Sequence, residues 1–168
     1  QLSSLNRPSW PLFPDSQRRM LATINNVGMA VSSDKGNPTD VHPTQKREVG
    51  QRLACLALND TYGFHHVVPS GPLFSNVEFR KGMAYVSFDY ADGLRPANEG
   101  EELLTFEIAG EDRTFHPAKA VVLEDGKVKV WSKEVKHPTI VRYGWQPYTR
   151  ANLVNSAGLP ASTFRSDF

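Results

Sequence analysis

The chain is short of cysteine, of long apolar runs and of net charge, and each shortage removes a class of explanation. A single cysteine among 168 residues, Cys55, leaves no internal disulfide available. No stretch approaches the roughly 18 apolar residues of a membrane-spanning helix, and none has the layout of a secretory signal, which a chain starting internally would in any case have lost. With 19 basic against 18 acidic residues the formal charge is +1, and no run of either sign gives the footprint of a nucleic-acid or anionic-membrane partner. There is no internal repeat and no low-complexity tract. What remains, 39% hydrophobic and 22% charged, is a globular chain able to bury a core as one domain or as two small ones.

The chain divides by its periodicity. Residues 1 to 26 open with Pro8, Pro11 and Pro14 among aromatics, and Asp15 to Leu21 forms a short helix candidate capped by Asp15 or Ser16. Val27 to Ser32 is a short apolar run bounded by turn residues, the pattern of a strand buried on both faces in a parallel sheet. A polar loop, Ser33 to Asp40, follows. Pro43 to Tyr62 carries Val49, Leu53, Leu56 and Ala57 at helical spacing, with proline just inside the start and Gly63 just past the end. Cys55 lies in the apolar run of this helix and reads as a buried structural position, since no charge beside it would activate the thiol.

Beyond Gly63, turn residues recur between short β-rich runs. Strands are expected over Val77–Arg80, Met83–Tyr90, Leu103–Ile108, Lys119–Leu123, Lys127–Trp131 and Ile140–Trp145. Asp125-Gly126 predicts a type I′ hairpin turn, and the alternation of lysine with valine after it predicts one wet face and one buried face. Gln146 to Phe168, rich in Asn, Pro and Ser, predicts an ordered coil lying over the rest. The expected domains are 1–68 and 69–168.

The sharpest chemical feature is Asp40-Val41-His42-Pro43, set between a strand and a helix. Loops leaving the carboxyl ends of strands in open α/β sheets are where ligands bind. An imidazole there can take a proton from a hydroxyl nucleophile and hand it to a leaving group, provided a carboxylate fixes its tautomer. Asp40 is near enough in sequence to be that carboxylate, and Asp34 is the alternative. Pro43 stiffens the chain after the histidine. Taken alone, the same string suits a helix N-cap, with Asp40 accepting backbone N–H groups and His42 merely exposed.

The run Met29 to Leu58, containing Asp40-Val41-His42-Pro43-Thr44-Gln45-Lys46-Arg47-Glu48-Val49-Gly50-Gln51-Arg52-Leu53-Ala54, resembles the last conserved block and final helix of SGNH-type hydrolases, in particular the sialate O-acetylesterases. The segments Phe88–Leu94 and Phe106–Gly110 are similar in character to that family's β region. Val141-Arg142-Tyr143-Gly144-Trp145, then Asn152 to Ala161, then Phe164 to Asp167, are similar to its C-terminal signature. The resemblance implies an α/β plus β fold: the last strand and helix of a flavodoxin-like SGNH hydrolase domain, then an antiparallel β-sandwich-like domain. It implies a serine esterase removing O-acetyl groups from sialic acids, with His42 as general base and Asp40 as its acidic partner, acting without a cofactor or a metal in a secreted, periplasmic or lysosomal-type compartment.

Two departures from that pattern stand out. SGNH enzymes place the acid three residues before the histidine, where this chain has Thr39. The family's nucleophile lies in a Gly-Gln-Ser-Asn type motif that does not occur here, and Ser75, in Gly71-Pro72-Leu73-Phe74-Ser75-Asn76, lacks its spacing and follows the final helix. The chain alone is therefore expected to be inactive, and its partners to be the N-terminal portion of the same enzyme or a further copy of itself, besides the acetylated sialic acid or glycan. Two other readings are an acetylesterase acting on xylan or another acetylated glycan, and a non-catalytic carbohydrate-binding β module. Arg142 and Trp145 are candidate substrate-binding residues. Arg142 and Arg165 suit either a bidentate grip on a sialic acid carboxylate or, the commoner role, tethering of the tail, and Trp131, Trp145, Tyr143 and Tyr148 suit either a sugar-stacking platform or, more commonly, core or interface packing. His65, His66, His116 and His137 have no metal-ligand spacing and read as structural or exposed.

Overall fold

A computed structural model describes residues 2–4, 7–42 and 44–168 of the chain. It is a mixed α/β structure in which most strands are antiparallel. Near the start, β1 (Leu2–Ser4) pairs in parallel with β2 (Ser32–Asn37), Leu2 opposite Ser32 and Ser4 opposite Asn37. The strand expected over Val27–Ser32 is thus displaced toward the polar residues that follow. Val27 is exposed and only Val31, Ser32 and Ser33 are buried, because among the described residues no further parallel strand flanks the apolar part of the run.

Helix α1 (Leu12–Met20) starts earlier than its capping residues suggested, with Pro11 at the cap position and Pro14 in the first turn, where a missing N–H costs nothing. Asp15 is consequently inside the helix. It is fully buried and paired with Arg18 at 2.8 Å and Arg19 at 3.3 Å, one turn on. Helix α2 (Lys46–Leu56) runs into a π-helical turn over Ala57–Thr61, and Gly63 closes it at φ 73°. Pro43, the expected first helical residue, lies outside the described residues. The apolar stripe of α2 exists but is not covered: none of its residues is buried, Cys55 is only half-buried rather than enclosed, and Leu53 is 52% exposed.

The remainder is built from β3 (Leu73–Arg80), β4 (Met83–Asp89), β5 (Arg95–Pro96), β6 (Phe106–Ala109), β7 (His116–Pro117), β8 (Lys119–Val122), β9 (Val128–Trp131), β10 (Ile140–Tyr143), β11 (Leu153–Val154) and β12 (Phe164–Arg165). Two four-stranded antiparallel sheets form, in the orders β3-β4-β9-β8 and β12-β10-β6-β7, with β5 and β11 as a separate pair. Ala84, Val86, Val128 and Val130 from the first sheet share one core with Phe106, Ile108, Val141, Tyr143 and Phe164 from the second. As the alternation predicted, Val128 and Val130 are sealed while Lys127 and Lys129 lie on the other face.

The turn chemistry differs from expectation. Lys81 and Gly82, at φ 49° and 73°, make the two-residue loop between Arg80 and Met83, a geometry in which both central residues are left-handed. The Asp125-Gly126 hairpin instead has a three-residue loop. There Gly126 alone has positive φ, its N–H bonds the Leu123 carbonyl, and the Leu123 N–H bonds the Lys127 carbonyl. The tail is more than a covering coil. Leu153, Ala161 and Phe164 are in the core, and Phe164 stacks on Phe74 with centroids 4.5 Å apart.

Candidate functional site

The loop between β2 and α2 is held at both ends. Arg52 of α2 reaches back to the Asp34 carboxylate at 2.6 and 2.8 Å and to the Val31 carbonyl at 2.7 Å, clamping the helix to the strand. A forked guanidinium is suited to such a bidentate grip. Asn37 then folds the chain, its Oδ1 accepting the N–H groups of Thr39 and Asp40 at 2.8 and 3.1 Å. The turn leaves Asp40 Oδ1 2.9 Å from His42 Nδ1 and 2.8 Å from the His42 backbone N–H.

One carboxylate oxygen thus fixes both the backbone and the ring of the histidine. The same two contacts, with the backbone N–H the larger, hold the Asp40 carboxyl below its ordinary range. With Nδ1 taken by Asp40, Nε2 is the ring nitrogen left for proton transfer. The histidine side chain is 83% exposed, so this pair stands at the surface of the chain. Asp34, the alternative orienter, is committed to Arg52 and does not serve His42. Thr39, at the position where SGNH enzymes carry the acid, points its hydroxyl to Asn37 at 3.0 Å.

The other candidates belong to a different cluster. Arg142 on β10 forms a bidentate pair with Glu107 of β6, both contacts at 3.0 Å, and lies 3.7 Å from the Phe115 ring centroid and 5.9 Å from that of Trp145. Arg165 is likewise paired with Asp167, at 2.6 and 2.9 Å. These cations brace the second sheet, and none of these partners belongs to the His42 loop. Glu107 and Phe115 carried no sequence signal, since a cross-strand pair shows only once register is known. Tyr143 is core rather than platform, donating nothing to the surface, its hydroxyl oxygen accepting the Leu153 N–H at 2.7 Å. His116 pairs with Glu134, and His65, His66 and His137 are exposed. Among the described residues no group of three or more His, Cys, Asp or Glu side chains is placed to hold a metal ion.

The structure thus sets a carboxylate-held histidine on a strand-to-helix loop beside a two-sheet β unit. No protein-family model matches the chain, and no curated protein does. Among solved structures it matches the crystal structure of a novel carbohydrate acetylesterase from Xanthomonas citri, with 44% sequence identity over 94% of this chain and a TM-score of 0.87. The chain spans 36% of the length of that protein. Over nearly its whole length, then, it is similar to one part of an acetylesterase-type hydrolase.

Proposed function

We propose that this chain is the histidine-bearing part of a serine-type carbohydrate O-acetylesterase. The observation that carries the reading is the Asp40 Oδ1 to His42 Nδ1 contact of 2.9 Å, in a chain similar throughout to part of a carbohydrate acetylesterase. In this reading β2 and α2 are the last strand and helix of an SGNH hydrolase domain over residues 1–68, residues 69–168 are a β-sandwich-like domain, and the enzyme works in a secreted, periplasmic or lysosomal-type compartment.

The chemistry is two acyl transfers. A serine hydroxyl from the remainder of the enzyme attacks the acetyl carbonyl carbon while His42 Nε2 takes its proton. The ester C–O bond breaks, and the imidazolium returns that proton to the sugar oxygen. Water then repeats the sequence on the acetyl-serine, releasing acetate and restoring the hydroxyl. Asp40 steadies the imidazolium at each stage and is not itself protonated.

The proposal also gives the remainder of the enzyme a surface to cover. Leu21 and Ile24, after α1, face Val27, Gly28, Leu53 and Leu56 across a cleft of about 550 Å³. Ile24, Val27 and Leu53 are exposed there, which is the condition expected of an α/β edge whose neighbouring strands lie on another segment.

The acetylated substrate is a sialic acid in this proposal, on the strength of the sequence resemblance. The test is acetate release by the complete enzyme from 9-O-acetyl-N-acetylneuraminic acid and from acetylated xylan. Faster release from the sialate is expected, and His42→Ala should lower kcat by about 10⁶-fold. Preference for xylan would move the substrate assignment to plant glycans, and unchanged turnover in His42→Ala would overturn the catalytic role.

A further inference from the structure

β7 and β8 are the terminal strands of the two sheets, and they follow one another in the chain with only Ala118 between them. One edge of each sheet, β7 and β8, therefore lies along a common border of the β unit. Two hollows adjoin there. The first, about 480 Å³, is bounded by Trp131, Arg95 and Glu101, and the second, about 260 Å³, by Thr105, Glu107 and Gln146. Glu102, Leu103, Lys119 and Ala120 line both, so the two are immediate neighbours and give this border a grooved surface.

Its chemistry is particular. Arg95 and Lys119 balance Glu101 and Glu102, while Glu107 is already neutralised by Arg142. A groove with no excess of either sign does not select a polyanion or a polycation. Trp131 supplies a half-buried indole, with Lys129 Nζ 5.1 Å from its ring centroid, against which the apolar face of a sugar ring can lie. Carboxylates, cations and an amide around an apolar floor supply both donors and acceptors for hydroxyl groups.

Thr105 adds an independent sign. It is β-branched yet held at φ 65°, and its Oγ1 is buried without a hydrogen-bond partner. Such strain concentrates at ligand sites, while the hydroxyl itself is sealed from the groove and makes no contact with a ligand there. A docked protein strand is the poorer occupant, because β8 is only four residues long and carries Lys119 on its edge.

We propose that this groove binds a short neutral oligosaccharide, holding the glycan at a site separate from the Asp40–His42 pair. The choice of a sugar as ligand rests on the carbohydrate-esterase reading above; the groove itself does not. The test follows the Trp131 indole N–H resonance of this 168-residue chain during titration with xylohexaose, cellohexaose and hexagalacturonate. A saturable shift with either neutral hexamer is expected, weaker binding of the anionic one, and at least a tenfold loss of affinity in Trp131→Ala, followed on its other amide signals, with Trp131→Phe recovering part of it. No shift with either neutral hexamer, tighter binding of hexagalacturonate, or undiminished binding by a folded Trp131→Ala would overturn the proposal. In the complete enzyme Trp131→Ala should keep p-nitrophenyl acetate turnover. A failed titration beside His42-dependent turnover would therefore sink the groove and leave the esterase reading standing.

Discussion

The Tyr143 hydroxyl oxygen accepts the backbone N–H of Leu153 at 2.7 Å, with both residues sealed inside the core. The bond ties β10 to β11, two elements that share no sheet, and it satisfies a donor that has no water to turn to. Tyr143→Phe keeps the ring and strands that N–H. A loss of about 1–3 kcal/mol in urea unfolding is expected, and a change within error would mean that the ring alone accounts for the residue.

Burial also raises the Tyr143 phenol above its ordinary value. A group whose folded pKa is raised contributes stability that is complete below its unfolded pKa and declines as the pH climbs past it. Stability should therefore fall above about pH 10, where the unfolded phenol ionises. Tyr143→Phe should flatten that alkaline limb, as read from the urea midpoint against pH.

At the acid end the sign reverses. The Asp40 carboxyl is lowered by the two His42 contacts, so it is ionised at all pH values well above the usual carboxylate range and the contact is lost only as the pH falls through its lowered pKa. A ¹³C titration of the carboxyl should give a midpoint below that of an unperturbed aspartate, and His42→Ala should raise it only in part, because the backbone N–H, the larger of the two contacts, remains. In the complete enzyme Asp40→Asn should cost about 10⁴-fold in kcat if it behaves as the acid of a triad does, with acetate release as the readout.

Gly71 has no room for a side chain. A Cβ at that position would fall 2.0 Å from the Pro160 carbonyl oxygen, a backbone atom that cannot swing aside as a side chain would. Gly71→Ala must push the tail off β3's entry and should cost about 3 kcal/mol in unfolding free energy. Thermal melts of the two proteins side by side would show it as a fall in Tm.

The exposed stripe of α2 allows a separation of folding from assembly. Leu53→Glu replaces a side chain that is 52% exposed and should change the stability of this chain by no more than about 0.5 kcal/mol. If the chain docks on the remainder of an esterase as proposed, the same variant should fail to associate with that part in gel filtration. Association at wild-type affinity would show that the stripe is not the docking face.

Much of the β unit was legible because strand alternation and turn residues report one face at a time, and Val128 and Val130 lie where the pattern of the second hairpin arm puts them. Turn type was not legible. Lys81-Gly82 carries the doubly left-handed loop although lysine has no preference for it, while Asp125-Gly126, the stronger signal, sits in a longer loop. Register and the neighbouring strands decided both.

Around the site, the aspartate two residues before His42 was readable from proximity alone, whereas the Arg52 clamp on Asp34 was not, since nothing in the order of residues says that the helix turns that side chain back on the strand. The displacement of β2 and the exposure of α2 have one cause. The apolar runs announce what they would bury against, and among the described residues only β1 pairs with that strand.

Phe164 stacks on Phe74 and packs edge-on to Phe88, so the first hairpin of the β unit meets its central aromatic partner only through residues made much later. During synthesis β3 and β4 can pair as soon as they leave the ribosome, yet their inner face stays open until the segment bearing Phe164 arrives. Loss of the final residues of this sequence would thus not trim an edge. It would leave a stalled, half-assembled chain with its aromatic interior exposed, a substrate for chaperones and proteases rather than a shortened protein.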